Sequence, residues 1–121
     1  MKVATGVDLI DIARIREAIE RHGDRFVSRI FTEAEQRDCS GRISSFAARF
    51  AAKEAVSKAL GCGIGDVSWL NIEIRSDEKK APHLVLHGDG ERLAKELGLL
   101  NWSVSMSHTE SQAIAFVVAT E

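Results

Sequence analysis

The first half of the chain alternates between short apolar segments and segments with helical spacing. An alternating run ending at Asp8 predicts a strand, and isoleucines at helical spacing then predict a helix that begins after Asp11 and ends at Gly23. Thr32 and Glu35 have the spacing of a capping box, which predicts the start of another helix.

A long helix is predicted from about Ile43 to Leu60, because nearly every residue there is a good helix former or a small apolar residue and Gly61 follows. On a helical wheel its apolar residues cover almost the whole circumference, so we expect this helix to be enclosed by the rest of the chain. Glu54 and Lys58 fall at the border between two apolar arcs. The two charged side chains must therefore pair with each other or contact a polar group from another part of the structure or from a ligand.

The second half of the chain has the alternation typical of strands. Segments 69–75 and 83–87 flank the polar loop 76–82 and predict a hairpin. In the first of them, Leu70, Ile72 and Ile74 share one face.

A brief helix over 90–98 precedes two more predicted strands, 101–108 and 112–120, which a second hairpin joins. The last strand is apolar on both faces, so we expect it to be central and covered. The order of elements predicts an α+β fold in which a largely antiparallel sheet packs on one long central helix.

Composition narrows the class of protein. With 121 residues, 45% of them hydrophobic and 28% charged, the chain is sized for a single domain over residues 1–121. A net charge of -2 argues against a general nucleic-acid binder, because phosphate contacts need a basic surplus. No apolar run approaches the roughly 18 residues of a membrane span, and no signal peptide is recognised, so we expect a cytoplasmic protein. Cys39 and Cys62 are interpreted as reduced thiols.

Asp8 and Glu54 are candidates for a metal site. An aspartate and a glutamate from distant segments, without histidine or cysteine beside them, suit Mg²⁺, which takes oxygen ligands and completes its shell with water and substrate phosphate. The alternatives are that Asp8 is a turn residue and that Glu54 forms an i,i+4 ion pair with Lys58.

The strand 101–108 places Ser103, Ser105 and Ser107 on one face and ends at His108. A nucleophilic serine with a histidine base is disfavoured, because neighbours on a strand point apart and no GxSxG elbow is present. The serines and the imidazole are either phosphate-binding donors or polar groups on a solvated face and turn.

Arg14, Arg21 and Arg25 form a basic stripe along the first helix, diluted by Glu17 and Glu20. The stripe is either a docking surface for an acidic protein or a solvated face of mixed charge.

Four segments of the chain can be compared with known sequence motifs: "GVDLIDIARI" at 6–15, "RFAAKEAVSKALG" at 49–61, "PHLVLHG" at 82–88 and "WSVSMSH" at 102–108. In this order they resemble motifs of the holo-[acyl-carrier-protein] synthases, the small stand-alone members of the 4'-phosphopantetheinyl transferase superfamily. The resemblance implies Mg²⁺-dependent transfer of 4'-phosphopantetheine from coenzyme A to a serine of apo acyl carrier protein, which releases adenosine 3',5'-bisphosphate. This reaction activates the carrier protein for fatty acid biosynthesis.

The resemblance also implies roles for individual residues. Asp8 and Glu54 match the metal ligands, and Lys58 matches the diphosphate contact; these three are the candidate catalytic residues. Other positions match contacts to the coenzyme A phosphates or to the acidic carrier protein: Arg49, Ser107 and His108 for the former, and Arg14, Arg21 and Arg25 for the latter. The family implies a homotrimer with active sites between subunits.

Two interpretations that assign the chain to other classes of protein remain open. A non-catalytic module could bind coenzyme A or an acidic protein through the same arginines and phosphate donors. A purely structural oligomer would make Glu54 and Lys58 an ordinary ion pair.

Overall fold

The computed structural model describes residues 1–121 and contains five α-helices and five β-strands. The strands are β1 (Val3–Asp11), β2 (Ile72–Ser76), β3 (Pro82–Leu86), β4 (Asn101–His108) and β5 (Gln112–Thr120). The helices are α1 (Ile12–His22), α2 (Asp24–Ile30), α3 (Glu33–Cys39), α4 (Ile43–Ala59) and α5 (Gly88–Leu97).

The strands form two antiparallel sheets. β5 lies at the centre of a three-stranded sheet in the order β1-β5-β4, and β2 pairs with β3 in a second sheet. The α+β class and both hairpins agree with the sequence prediction, whereas the division into two sheets was not predicted.

Helix α4 crosses the inner face of the three-stranded sheet in very close contact. The small side chains of Ala51, Ala52 and Ala55 are fully buried. At the closest point β1 carries Gly6, and a Cβ on that residue would lie 1.8 Å from the carbonyl oxygen of Ala55. Glycine is therefore required at position 6 for the two backbones to meet.

The predicted enclosure of α4 is confirmed, and it extends to a charged side chain. Lys53 is fully buried and its Nζ lies 2.7 Å from Oε1 of Glu35, which is also fully buried. The same ammonium donates to the carbonyl oxygens of Trp69 and Ile72. Burial lowers the pKa of Lys53, although the charge of Glu35 acts in the opposite direction. This pair ties α3 and β2 to the central helix.

At the ends of the elements, one local prediction is confirmed and two boundaries differ. The capping box of Thr32 and Glu35 is present as predicted. The first strand runs on to Asp11, because that residue still pairs with Gln112 of β5, so Asp8 lies inside the strand and not at its end. The strand predicted over 69–75 is shorter, because Trp69–Asn71 forms a 3₁₀ turn.

The predicted central position of β5 is confirmed, but the prediction that both of its faces are covered is wrong for the single chain. Its inner face is buried, whereas Phe116 is 44% exposed and Ile114 is 39% exposed on the other side. Val7 and Leu9 of β1 lie exposed on the same side. We call these four residues the outer sheet face.

None of the five α-helices combines the length and the apolar character that crossing a lipid bilayer demands.

Candidate active site

Asp8, Glu54 and Lys58 come together where β1 meets the last turns of α4. Nζ of Lys58 lies 3.2 Å from Oδ1 of Asp8 and donates to the carbonyl oxygen of Val7 at 2.8 Å. Burial raises the pKa of Glu54, the negative charge of Asp8 raises it further, and Lys58 and Arg14 oppose the shift. Two carboxylates from distant parts of the chain therefore share one small region.

The close packing of β1 on α4 explains this meeting. Gly6 and Asp8 are two residues apart on one strand, so both face α4. Because Gly6 lets the strand approach Ala55, Asp8 reaches the segment of helix that carries Glu54 and Lys58.

The alternative interpretations of these residues are not supported. Lys58 forms its ion pair with Asp8 and does not form the i,i+4 pair with Glu54. Asp8 is not a turn residue, since it pairs with Ala115 in the sheet.

The donor set fits a hard divalent cation. No group of three or more histidine, cysteine, aspartate or glutamate side chains is placed so that it could hold a metal ion by itself. Mg²⁺ is commonly held by one or two carboxylates, and water and substrate phosphates supply its other ligands. Asp8 and Glu54 are the two residues that could hold such an ion.

A cavity of about 460 Å³ collects the other predicted phosphate contacts. It lies between the start of α4, the β2–β3 hairpin and the end of β4, and Arg49, Ser107 and His108 all line it. Five serine hydroxyls line it as well: Ser40, Ser44, Ser45, Ser76 and Ser107. Hydroxyls beside cationic side chains are typical of a site for an anion.

Arg49 connects this cavity to the hairpin. The side chain is only 4% exposed, and its Nε donates to the carbonyl oxygen of Ile74 at 3.1 Å. A terminal guanidinium nitrogen donates to Oγ of Ser76 at 2.7 Å. Part of the guanidinium therefore positions the hairpin.

Asp38, an acidic residue of the cavity lining, is already paired with the hairpin. Oδ2 of Asp38 accepts from Nε of Arg75 and from the backbone N–H of Ser76, each at 3.0 Å. Burial alone would raise the pKa of Asp38, but these hydrogen bonds outweigh it and the pKa is lowered. Its charge is thus compensated within the chain.

Within one chain the predicted site is divided into two parts. Asp8, Glu54 and Lys58 do not line the cavity that contains Arg49 and His108. The serine nucleophile is not supported, because no hydrogen bond joins the adjacent residues of β4 that would form the pair.

The three arginines of the basic stripe lie in different surroundings. Arg14 is close enough to Glu54 for its charge to act on that carboxyl, and Arg21 lies exposed in the last turn of α1. Arg25 lines a surface pocket of about 340 Å³ together with Arg29 and Phe26.

Several residues at these sites were not predicted from the sequence. Arg29 follows Arg25 by four positions, so its helical spacing was a signal that was available. Arg42 and Lys80 line the cavity, but they come from a helix start and a hairpin turn with no local motif.

The chain is similar in sequence to one protein family and to individual proteins of that family. The model of the 4'-phosphopantetheinyl transferase superfamily matches residues 4–117. A holo-[acyl-carrier-protein] synthase of Herpetosiphon aurantiacus is 50% identical over 123 residues, which cover 96% of this chain and 97% of that protein.

Solved structures agree with the sequence comparison. The holo-[acyl-carrier-protein] synthase of Helicobacter pylori in complex with coenzyme A has a TM-score of 0.88 and 37% identity, covering 96% of this chain and 99% of that one. The synthase of Bacillus anthracis in complex with coenzyme A (3',5'-ADP) has a TM-score of 0.78 and 36% identity, covering 96% of this chain and 94% of that one.

Proposed function

The chain belongs to the 4'-phosphopantetheinyl transferase superfamily, and from this premise we propose that it acts as a holo-[acyl-carrier-protein] synthase. It transfers the 4'-phosphopantetheine group of coenzyme A to a serine of apo acyl carrier protein, giving holo acyl carrier protein and adenosine 3',5'-bisphosphate. The observation that carries the proposal is the meeting of Asp8, Glu54 and Lys58 in a chain 50% identical to a named synthase over nearly its full length.

The reaction brings the negatively charged diphosphate of coenzyme A and the acidic carrier protein together in one site. The serine hydroxyl of the carrier protein attacks the phosphorus bonded to pantetheine, and the bond from that phosphorus to the nucleotide phosphate breaks. Asp8 and Glu54 would hold Mg²⁺, which, when bound, supplies positive charge to the diphosphate. The ammonium of Lys58 stabilises the remaining charge on the diphosphate oxygens.

The serine must lose its proton as it attacks. Glu54 accepts that proton in this proposal, directly or through a water relayed by a carboxylate. His108 is the competing base. The assignment to Glu54 loses its support if Glu54→Gln lowers the transfer rate only as far as it lowers metal affinity.

The cavity beside α4 binds the nucleotide end of coenzyme A. Arg49, Ser107 and His108 line it and supply donors for phosphate oxygens. Support comes from two similar proteins whose structures hold coenzyme A.

A homotrimer with active sites between subunits accounts for the separation of the two half-sites. The outer sheet face, where Leu9 is 57% exposed and Phe116 is 44% exposed, is the apolar surface that a neighbouring copy would cover. In such an assembly the cavity of one copy faces Asp8, Glu54 and Lys58 of the next.

The basic stripe docks the acidic carrier protein. Arg14 stands near Glu54, so a carrier bound to the stripe presents its serine close to the reacting phosphorus. Arg25 and the pocket it shares with Phe26 extend the contact. The enzyme acts in the cytoplasm and prepares carrier protein for fatty acid biosynthesis.

The direct test is the intact mass of apo acyl carrier protein after incubation with the purified protein, coenzyme A and Mg²⁺. We expect a gain of one phosphopantetheinyl group, which a chelator prevents and which Asp8→Asn and Glu54→Gln abolish. Binding of coenzyme A and carrier protein without any gain in mass would contradict the proposal and support a non-catalytic binding module.

A further inference from the structure

Lys80 differs from the other cations that line the cavity beside α4. Arg49 donates to Ile74 and Ser76. Arg42 donates to Oγ of Ser45 at 3.2 Å and to the carbonyl oxygen of Asp38 at 3.0 Å. The side chain of Lys80 makes no hydrogen bond or ion pair with the chain, so its three donors remain available to a ligand.

The backbone of Lys80 is held in an uncommon conformation. Its φ is 63°, in the left-handed region that glycine adopts at much lower cost. The turn is fixed by Asp77, whose Oδ1 accepts from the backbone N–H groups of Lys79 at 2.8 Å and of Ala81 at 2.9 Å. The backbone N–H of Lys80 donates to the carbonyl oxygen of Asp77 at 2.9 Å. Because glycine would adopt this backbone conformation at lower cost, a lysine at this position indicates a function for its side chain.

The hairpin that carries this turn is fixed to the rest of the cavity. The hydrogen bonds from Arg49 attach β2 to α4. Asp38 at the end of α3 accepts from the backbone N–H of Ser76, at the last position of β2. The ammonium of Lys80 is therefore carried by an anchored hairpin at the edge of the cavity.

The charges around the turn favour an anionic ligand at this position. The carboxylate of Asp77 is occupied by backbone N–H groups, and that of Asp38 by Arg75 and Ser76. Glu78 is the acidic side chain of the cavity lining that lacks such a partner. The same lining carries three positive side chains, Arg42, Arg49 and Lys80, and the ammonium of Lys80 is free.

Coenzyme A has two phosphate-bearing parts, the diphosphate and the 3'-phosphate of its ribose. The proposed function assigns the diphosphate to Asp8, Glu54 and Lys58. These residues do not line the cavity of their own chain, and in the proposed trimer they lie across from it on a neighbouring copy, so the cavity lining is left for the other phosphate. We propose that Lys80 binds the 3'-phosphate and makes the enzyme select coenzyme A over 3'-dephospho-coenzyme A. The inference rests on the proposed function and adds a specificity-determining residue to it.

The test compares two lysines of the same turn. Lys80→Gln removes the ammonium at the cavity, and Lys79→Gln removes an equal charge from a neighbour that does not line it. We expect Lys80→Gln to raise KM for coenzyme A about five-fold or more, with little change in kcat and no change in KM for 3'-dephospho-coenzyme A. Lys79→Gln should change neither constant by as much as about two-fold, and Lys80→Arg should remain close to the parent protein.

A binding measurement separates this role from folding. Lys80→Gly suits the left-handed backbone and should raise Tm, yet we expect it to weaken calorimetric binding of adenosine 3',5'-bisphosphate as Lys80→Gln does. Equal effects of the Lys80 and Lys79 variants on both coenzymes would overturn the inference while the proposed function stands. Failure of the parent protein to transfer or to bind coenzyme A would remove the proposed function, and the inference with it.

Discussion

At the scale of single residues, Glu54 is held in surroundings that disfavour its charge. Burial and the neighbouring carboxylate of Asp8 raise its pKa, and Lys58 and Arg14 compensate only in part. A carboxyl whose pKa is higher in the folded than in the unfolded chain destabilises the fold at every pH above its ordinary pKa, which is about 4.5 for Glu54. A bound cation would reverse this effect.

Replacing Glu54 with glutamine should therefore stabilise the metal-free protein while it abolishes transfer. We expect a higher Tm at pH 7, with the gain shrinking as pH falls towards 4 because the parent carboxyl then becomes protonated in both states. Differential scanning fluorimetry in chelator-treated buffer measures this, with Glu17→Gln on the exposed face of α1 as the control. A lower Tm for Glu54→Gln at pH 7 would argue against an unfavourable carboxylate pair.

The buried pair of Lys53 and Glu35 behaves in the opposite way, because each charge depends on the other. Lys53→Met leaves Glu35 buried without its cation, which should cost about 3–5 kcal/mol of unfolding free energy in urea titrations. The double variant Lys53→Met with Glu35→Gln should recover part of that loss. Equal stability of the single and double variants would show that the two charges are not coupled.

At the scale of elements, the approach of β1 to α4 builds the site. Gly6→Ala adds a methyl group where the carbonyl oxygen of Ala55 already lies, so strand and helix must separate. We expect a loss of about 1–3 kcal/mol in unfolding free energy and a fall in transfer rate, since Asp8 moves away from Glu54. Gly63→Ala is the matched control, because an added Cβ there meets nothing within 4 Å. Similar stability and activity of the two alanine variants would contradict this account of the contact.

Elements were predictable where their signals are local. The capping box at Thr32 and Glu35 and the long helix α4 follow from spacing within a few residues. The end of β1 was not predictable in this way, because Asp11 stays in the strand only through its pairing with Gln112.

The candidate site could likewise be predicted from the sequence only in part. The residue types predicted that Asp8 and Glu54 could serve one ion, and the structure brings them together. The alternative of an i,i+4 ion pair between Glu54 and Lys58 is not found, because helical spacing says nothing about the strand that brings Asp8 and the carbonyl oxygen of Val7 to Lys58. Lys80 was missed because its proposed role depends on a cavity formed by separate elements.

At the scale of the whole molecule, the outer sheet face is the feature that a single chain leaves unexplained. The apolar pattern of β5 correctly predicted a central strand, but one of its faces has no cover within the chain. Sequence periodicity does not distinguish cover by the same chain from cover by a neighbouring copy.

In the proposed homotrimer a neighbouring copy covers the outer sheet face, so Phe116→Asp should shift the protein to smaller species in light scattering. It should also lower transfer, since each active site of the proposed trimer lies between two copies. Leu70→Asp is the control, because Leu70 is 40% exposed and lies on the 3₁₀ turn away from the sheet. An unchanged mass for Phe116→Asp would place the subunit interface elsewhere.

The most direct test of the central claim is anomalous diffraction from crystals grown with Mn²⁺ and coenzyme A. The account predicts one Mn²⁺ peak within coordination distance of carboxylate oxygens of both Asp8 and Glu54 and of the coenzyme A diphosphate. Coenzyme A bound with its diphosphate away from these carboxylates, or a peak that neither carboxylate touches, would contradict it.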